Sequence, residues 1–291
     1  MIFGVDVASA GVSKPVSWAR AKAEGPISFA LMRSNWGTVP DTVFLREWDR
    51  LRDAGLVAGA YMFLRFRTVR HGAAPTPAEQ TETMIKTLAS RIAKGHDLPP
   101  CIDVEFPGKG AVEMEMTPEE LLDGIRVSWN ILRDEYGAPP MIYTSGRVWK
   151  EDLDDIAAPE LLESPLWLAR YPFNEGEPAV RDPVRVSRVD PPVPAPWGDE
   201  ETWFIHQYQG DAIEMPGFSP TEKVDMNRFH AVAKGDSGGN IRWIQRRLGM
   251  ATQTGTLDDV TETAIRQFQS GRGLVVDGVV GPRTFTALCW E

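Results

Sequence analysis

A chain of 291 residues, 42% apolar and 25% charged, is long enough for one large domain plus a small one and has the composition of ordinary globular protein. Its net charge of −10 is uneven: residues 234–291 carry seven Lys/Arg against six Asp/Glu, leaving −11 on residues 1–233. Neither part offers the basic patch of a nucleic-acid binder, and no run approaches the roughly 18 apolar residues of a membrane helix.

In chain order, strand-like and helix-like segments alternate. IFGVDV (2–7) reads as a short apolar strand, followed by an amphipathic stretch at 15–25. ISFALMRS (27–34) is the next strand. In 42–55, Val43, Phe44, Trp48 and Leu51 recur at helical spacing and Gly55 stops the run. LVAGAYMFL (56–64) is a strand. A helix over 76–95 opens on Thr-Pro and ends at Gly95; another over 117–137 repeats the pattern. Between them lies PPCIDVEF (99–106). PPMIYTS (139–145), PLWLARY (165–171) and WFIHQY (203–208) continue as strands. Strands alternating with helices imply a parallel sheet, and this many units predict an α/β fold closed as a (β/α) barrel. Helices are short or missing between 171 and 203, so the barrel is expected to be irregular there. The Pro-rich 189–201 is read as a loop within the barrel, because WFIHQY and KVDMN beyond it are needed to complete the sheet; an interdomain linker at 190 is the plain alternative. The predicted organisation is a barrel over 1–230, a short linker at 231–239, and a small all-α domain of three helices over 240–291. That tail carries a weak internal repeat, 254–269 against 277–290, each with a Gly turn, a Thr opening a helix and apolar residues.

Within PPCIDVEF, Asp103 and Glu105 fall on one face of a strand and Ile102, Val104 and Phe106 on the other. In a partly dry site, two adjacent acids leave one of them protonated at neutral pH. A carboxylate beside a carboxylic acid is what glycoside cleavage requires; the plain alternative is a polar edge strand with its acids in water. Barrel sites lie at the C-terminal ends of strands. Asp6 ends the first strand, Asp103 and Glu105 the fourth and Tyr143 the fifth, and Asp225 is expected to follow the last. Four carboxylates then converge on one mouth. Four scattered His without HExxH or paired CxxC speak against a zinc hydrolase, so neither metal nor cofactor is expected. Cys101 and Cys289, at opposite ends of the chain, are expected to be free thiols.

Residues 1 to about 230 resemble the family-25 glycoside hydrolases, lysozymes that cut N-acetylmuramic acid linkages. The pieces that carry the resemblance are GVDVAS, FALMRSNWGT, GLVAGAYMF, CIDVEF, MIYTS, LWLARY, the HQY strand and VDMN, in that order. The tail resembles a three-helix peptidoglycan-binding domain through SGGNIRWIQRRLG, AIRQFQ and GLVVDGVVGPRT. The resemblance implies that Glu105 is the general acid, Asp103 its carboxylate neighbour, Asp6 the first-strand acid and Asp225 the late-strand acid. It also implies that Tyr61, Tyr143 and Trp167 line the groove, and that Gln207 and Tyr208 reach the site from the penultimate strand. The segment after Asp6 lacks the family's usual Gln, and Met62 stands where many members have His.

Cα atoms two apart on a strand lie about 6.5–7 Å from each other, so carboxyl separation fits either a retaining or an inverting course. A third course, favoured here, has the substrate's 2-acetamido oxygen attack the anomeric carbon while Asp103 orients that group and Asp6 holds Asp103 or positions water. Asp225 is equally a scaffold or a catalyst. Trp36, Trp48 and Trp129 are assigned to packing, and His206, alternating with Gln207, to the opposite face. Gln245 and Gln269 are expected to be capping or core-edge groups. Two other classes stay open: a binding protein on a hydrolase scaffold, and a wall amidase or peptidase. The expected partner is bacterial peptidoglycan, gripped by a monomer without nucleic acid or membrane insertion. MIFGVDVAS has no basic start and apolar segment, so no signal peptide is expected. That fits a phage endolysin made in the host cytoplasm and released to the wall, ahead of a trimmed secreted autolysin. Removing the tail is expected to spare turnover of soluble fragments.

Overall fold

The alternation of apolar runs and capped helices closes on itself in the computed structural model, which describes residues 1–68, 73–106, 116–198 and 202–291. In chain order the elements are β1 (Ile2–Val7), α1 (Trp18–Glu24), β2 (Ile27–Trp36), β3 (Val39–Pro40), α2 (Thr42–Asp53), β4 (Val57–Phe63), α3 (Pro77–Leu88), β5 (Cys101–Asp103), α4 (Pro118–Tyr136), β6 (Met141–Thr144), β7 (Leu166–Ala169), α5 (Pro183–Val186), β8 (Trp203–Ala212), β9 (Val224–Phe229), α6 (Gly239–Arg247), α7 (Asp259–Gly271) and α8 (Pro282–Leu288). The sheet runs β1-β9-β8-β7-β6-β5-β4-β2-β3, and β1 also pairs with β2, closing eight strands into a barrel with β3 as a short appendage.

The barrel departs from a uniform parallel one at β9, which is antiparallel to both β1 and β8. Only residues 213–223 join β8 to β9, too few for a parallel crossover with its helix. Asp225 therefore lies near the start of a reversed strand, within β9 rather than after the last strand as expected. The reversal brings the start of β9 to the mouth, where Asp225 pairs in register with Asp6 of β1.

Local chemistry sets the helix ends. Thr76 with Glu79, and Thr117 with Glu120, form reciprocal capping boxes at α3 and α4, and Asp41 accepts from Val43 N at α2; each such cap is worth about 1 kcal/mol. α3 stops at Leu88, short of Gly95. Ala89 turns to φ +40°, the Asp97 carboxylate accepts from the Ala93 N–H at 2.7 Å, and Lys94 Nζ donates to the Tyr136 carbonyl, at the end of α4, at 2.5 Å. Side-chain bonds replace the helical ladder there.

Two apolar cores follow from strand alternation. One lies between strands and helices and contains Val5, Val7, Ala30, Met32, Met62, Ile102, Val104 and Phe106. The other fills the barrel with Phe29, Leu31, Tyr61, Cys101, Tyr143, Trp167, Phe204 and Phe229. Gly4 allows this filling, since a Cβ there would stand 2.4 Å from the Phe29 ring. Both cysteines are buried free thiols.

The inner core does not end with the barrel. It continues into α6–α8 through Ile241, Trp243, Ile244, Ile265, Phe285 and Leu288. Phe285 stacks on Phe204 with ring centroids 4.4 Å apart and lies 5.3 Å from Phe229. Around that stack, Arg283 Nη2 donates to Gly55 O (2.9 Å), Trp290 Nε1 to Asp97 O (2.8 Å) and Trp243 Nε1 to Glu163 O (2.9 Å). All three carbonyls precede strands, so the helical unit plugs the floor of the barrel, opposite the mouth.

Inside that unit Gln245 and Gln269 play matching parts, both fully buried. Gln245 Nε2 donates to Thr254 Oγ1 and Thr261 Oγ1 and its Oε1 accepts from Gly255 N. Gln269 Nε2 donates to Asp277 Oδ1 and Thr284 Oγ1 and its Oε1 accepts from Gly278 N. Each glutamine ties a glycine turn to the threonine of the next helix, which is the structural meaning of the sequence repeat.

Candidate active site

The acids predicted from the strands meet at the mouth. Asp6, near the end of β1, is 2% exposed, and its Oδ2 accepts from Gln207 Nε2 and Asn227 Nδ2, both at 2.7 Å. Gln207 Nε2 also reaches Asp225 Oδ2 at 3.4 Å, and Asp225 Oδ1 takes the Asp211 N–H at 2.7 Å. On its other side Gln207 Oε1 accepts from Tyr143 OH (2.7 Å) and Tyr171 OH (2.5 Å). Gln207 is thus the hub linking two tyrosines to two acids.

Asp103 ends the three-residue strand β5 and is buried, whereas Glu105 lies two residues beyond and stays partly exposed. Among the described residues, Asp103 Oδ1 is buried with no hydrogen-bond partner. A buried orphan acceptor costs roughly 1–3 kcal/mol, a cost that a donor on a bound molecule would remove.

Burial and mutual repulsion raise the pKa values of these groups above the usual carboxylate range. Burial, then the charge of Asp225, raises Asp6 well above it; burial, then Glu105, does the same to Asp103. Glu105 is pushed up to about 7, by burial first and Asp225 second, with Arg147 and Arg33 opposing. Asp225 is pushed up to about 6 by burial. An acid near 7 that water and substrate can reach is suited to giving up a proton at neutral pH and taking it back.

The aromatic positions divide. Tyr61 and Tyr143 lie beneath the acids, 7% and 6% exposed. Trp167 is 1% exposed, wedged against both rings at 5.6 and 4.5 Å, with its Nε1 held by Asn227 Oδ1 at 2.7 Å. It supports the floor of the site and does not line an open groove. Tyr208 is also corrected: adjacent strand residues face opposite ways, so with Gln207 inward Tyr208 points out, fully buried in the outer core with its OH on Val180 O. His206 faces outward as expected, bonded to Arg170 O and Arg228 Nε. Trp48 and Trp129 are packed, but Trp36, assigned to packing, stands 41% exposed at the end of β2 under the Arg65 guanidinium.

Sequence reasoning passed over Asn227, Tyr171, Arg33 and Arg147. Asn227 had a signal, being two residues from Asp225 and so on the same face. Arg33 ends up paired with the buried Asp41 at 2.7 Å, and nothing local in the sequence announces that contact. No group of three or more His, Cys, Asp or Glu among the described residues is arranged to hold a metal ion.

Residues 5–217 match the profile of the glycosyl hydrolases family 25, and residues 237–288 match a putative peptidoglycan-binding domain. The chain belongs to glycosyl hydrolase family 25. Its fold is similar to the bacterial lysozyme of Streptomyces coelicolor (22% identity, TM-score 0.59, 79% of this chain and 92% of the other). It is likewise similar to a family GH25 lysozyme of Aspergillus fumigatus (22%, TM-score 0.58, 79% and 93%) and to the CTP1L endolysin (15%, TM-score 0.53, 79% and 67%). No curated protein sequence matches the chain. The chain thus joins a lysozyme-like peptidoglycan hydrolase domain to a putative peptidoglycan-binding domain.

Proposed function

We propose that the enzyme cleaves the β-1,4 bond between N-acetylmuramic acid and N-acetylglucosamine, with Glu105 as general acid and Asp103 assisting. The observation that carries this reading is the pairing of a reachable acid near pKa 7 with a buried neighbour whose Oδ1 has no partner among the described residues. The N–H of the substrate's 2-acetamido group donates to Asp103 Oδ1, which turns the acetamido oxygen toward the anomeric carbon. The acetamido oxygen attacks the anomeric carbon as the bond from that carbon to the glycosidic oxygen breaks, and Glu105 gives its proton to that departing oxygen. The cationic ring so formed sits beside Asp103 and in the field of Asp225, which is ionised at neutral pH, and water activated by the Glu105 carboxylate opens it. Asp6, held by Gln207 and Asn227, positions the array; Asp225 serves as its scaffold.

The domain division proposed is a catalytic unit over 1–230 and a wall-gripping unit over 240–291, joined at 231–239. We further propose a monomer acting on the wall from a lytic, endolysin-like role, supported by the binding domain and the likeness to endolysin folds. No helix among the described residues is long and apolar enough to cross a membrane.

The test is digestion of purified peptidoglycan followed by borohydride reduction. Reduced muramic acid among the products supports the assignment. Reduced glucosamine alone overturns the bond assigned, and new amino groups without new reducing ends would make the enzyme an amidase or peptidase.

A further inference from the structure

Beside the acids, on the β6–β7 side of the mouth, lies a cavity of about 350 Å³ lined by Glu105, Tyr143, Ser145, Arg147, Arg170 and Tyr171, within the range of small-molecule sites. Its chemistry contrasts with the rest of the mouth. The centre holds four carboxyl groups, whereas this side pocket is bordered by Arg147 and Arg170 and by Tyr143 and Tyr171, whose hydroxyls already donate to Gln207. Arg147 is fixed in place: Nη2 donates to Phe106 O, the residue after Glu105, at 2.9 Å, and Nη1 donates to Asp152 Oδ2 at 3.1 Å. Those contacts occupy two of its five donors, Glu151 Oε2 lies 3.8 Å from Nη1, and the side chain remains 40% exposed, with donors left for a bound anion. Arg170 Nη1 is tied to Asp190 O at 2.7 Å. The turn that carries Arg147 is also held tightly, since a Cβ at Gly146 would stand 3.1 Å from Pro192 Cγ. A preset guanidinium next to a general acid, in an otherwise acidic mouth, is arranged for an anionic substituent close to the bond being cut.

We propose that this cavity receives the carboxylate-bearing arm on C3 of the muramoyl residue, with Arg147 binding the carboxylate; the inference rests on the muramidase reading above. N-acetylglucosamine has no such arm, so the contact distinguishes the two sugars of an alternating polymer and sets which of the two glycosidic bonds faces Glu105. It also explains how a strongly acidic mouth accommodates an anionic sugar. The carboxylate has two sources: the lactyl group itself where the stem peptide is missing, or an acidic residue of the stem peptide.

The experiment compares kcat/KM on three glycan-strand preparations, for wild type, Arg147→Gln and Arg147→Lys. The strands carry intact stem peptides, or bare lactyl carboxylates, or lactyl groups converted to neutral methylamides. Wild type is expected to cut one carboxylate-bearing preparation at least roughly tenfold better than the methylamide strands, mainly through KM, as a charge-assisted contact implies. That ratio collapses toward one in Arg147→Gln and is partly kept in Arg147→Lys, which a merely structural role would not produce. Preference for bare lactyl strands assigns the carboxylate to the lactyl group, and preference for intact strands assigns it to the stem. Equal cleavage of all three by wild type, or a ratio unchanged in Arg147→Gln, overturns the proposal while leaving the muramidase reading intact. Absence of new muramic acid reducing ends from every preparation would instead sink that reading.

Discussion

Replacing Phe285 by alanine tests whether the helical unit is a tethered anchor or part of the barrel's own core. Phe285 is fully buried, stacked on Phe204 and close to Phe229 and Trp243. Removing a ring in such a place costs about 3–5 kcal/mol, from lost burial and the cavity left behind. At roughly 2 °C per kcal/mol for a chain of this size, the thermal midpoint should fall by about 6–10 °C. The assay is thermal unfolding followed in parallel by tryptophan fluorescence and by residual activity on soluble glycan fragments. If the two units share a core, both signals fall together in one shifted transition. Val260→Ala, at a site 67% exposed on α7, should stay within about 0.5 kcal/mol of wild type. A Phe285→Ala protein whose helices melt early while activity keeps its original midpoint would refute the shared core. On the shared-core account, truncation of residues 234–291 uncovers Phe204 and Phe229 and destabilises the barrel. The expectation that truncation spares soluble-fragment turnover then fails for lack of a stable catalytic unit.

Three further outcomes are expected. The pH profile of kcat/KM should fall as pH rises through about 7, because Glu105 must carry its proton to act as acid; a flat profile between pH 6 and 8.5 would contradict that role. Stability should move the other way in the acid variants. A carboxyl whose folded pKa is raised contributes stability below its unfolded value, lost as pH rises through the folded one. With Glu105 raised from 4.5 to about 7, Glu105→Gln should be more stable than wild type at pH 8 by up to about 3 kcal/mol, the gain vanishing near pH 4. Asp103→Asn should shift in the same direction, read by urea unfolding at both pH values. Finally, Gln207→Leu strips Asp6 of one donor and two tyrosines of their acceptor. It should cost about 1.5–3 kcal/mol and at least roughly tenfold in kcat, and unchanged kinetics would remove Gln207 from the positioning network.

Much of this site was legible because strand periodicity is strict. The spacing of Asp103 and Glu105, and the position of Asp6 at a strand end, were enough to bring the acids to one mouth. The same rule, applied evenly, would have excluded Tyr208: a residue next to Gln207 on a strand must face the other way, as His206 does. The reversal of β9 was not legible: the strands read from the sequence, 203–208 and 223–227, leave fourteen residues between them, and only the extension of β8 to Ala212 shortens the link to eleven. What the sequence did not carry was contact between distant segments. The burial of Trp167 follows from Tyr61 and Tyr143 lying against it, and Arg147 meets Glu105 through a chain separation of more than forty residues. The docking of α6–α8 depends on Phe285 finding Phe204, which no local pattern specifies. The early end of α3 goes with Asp97 offering a side-chain acceptor to the Ala93 N–H outside the helix.

The most direct test of the central claim is digestion of purified peptidoglycan by wild type and by Glu105→Gln, with both proteins shown to be folded. The account predicts new muramic acid reducing ends from wild type and a loss of at least roughly a hundredfold in the variant. Reducing ends formed at the wild-type rate by Glu105→Gln would contradict it and move the general acid elsewhere in the mouth.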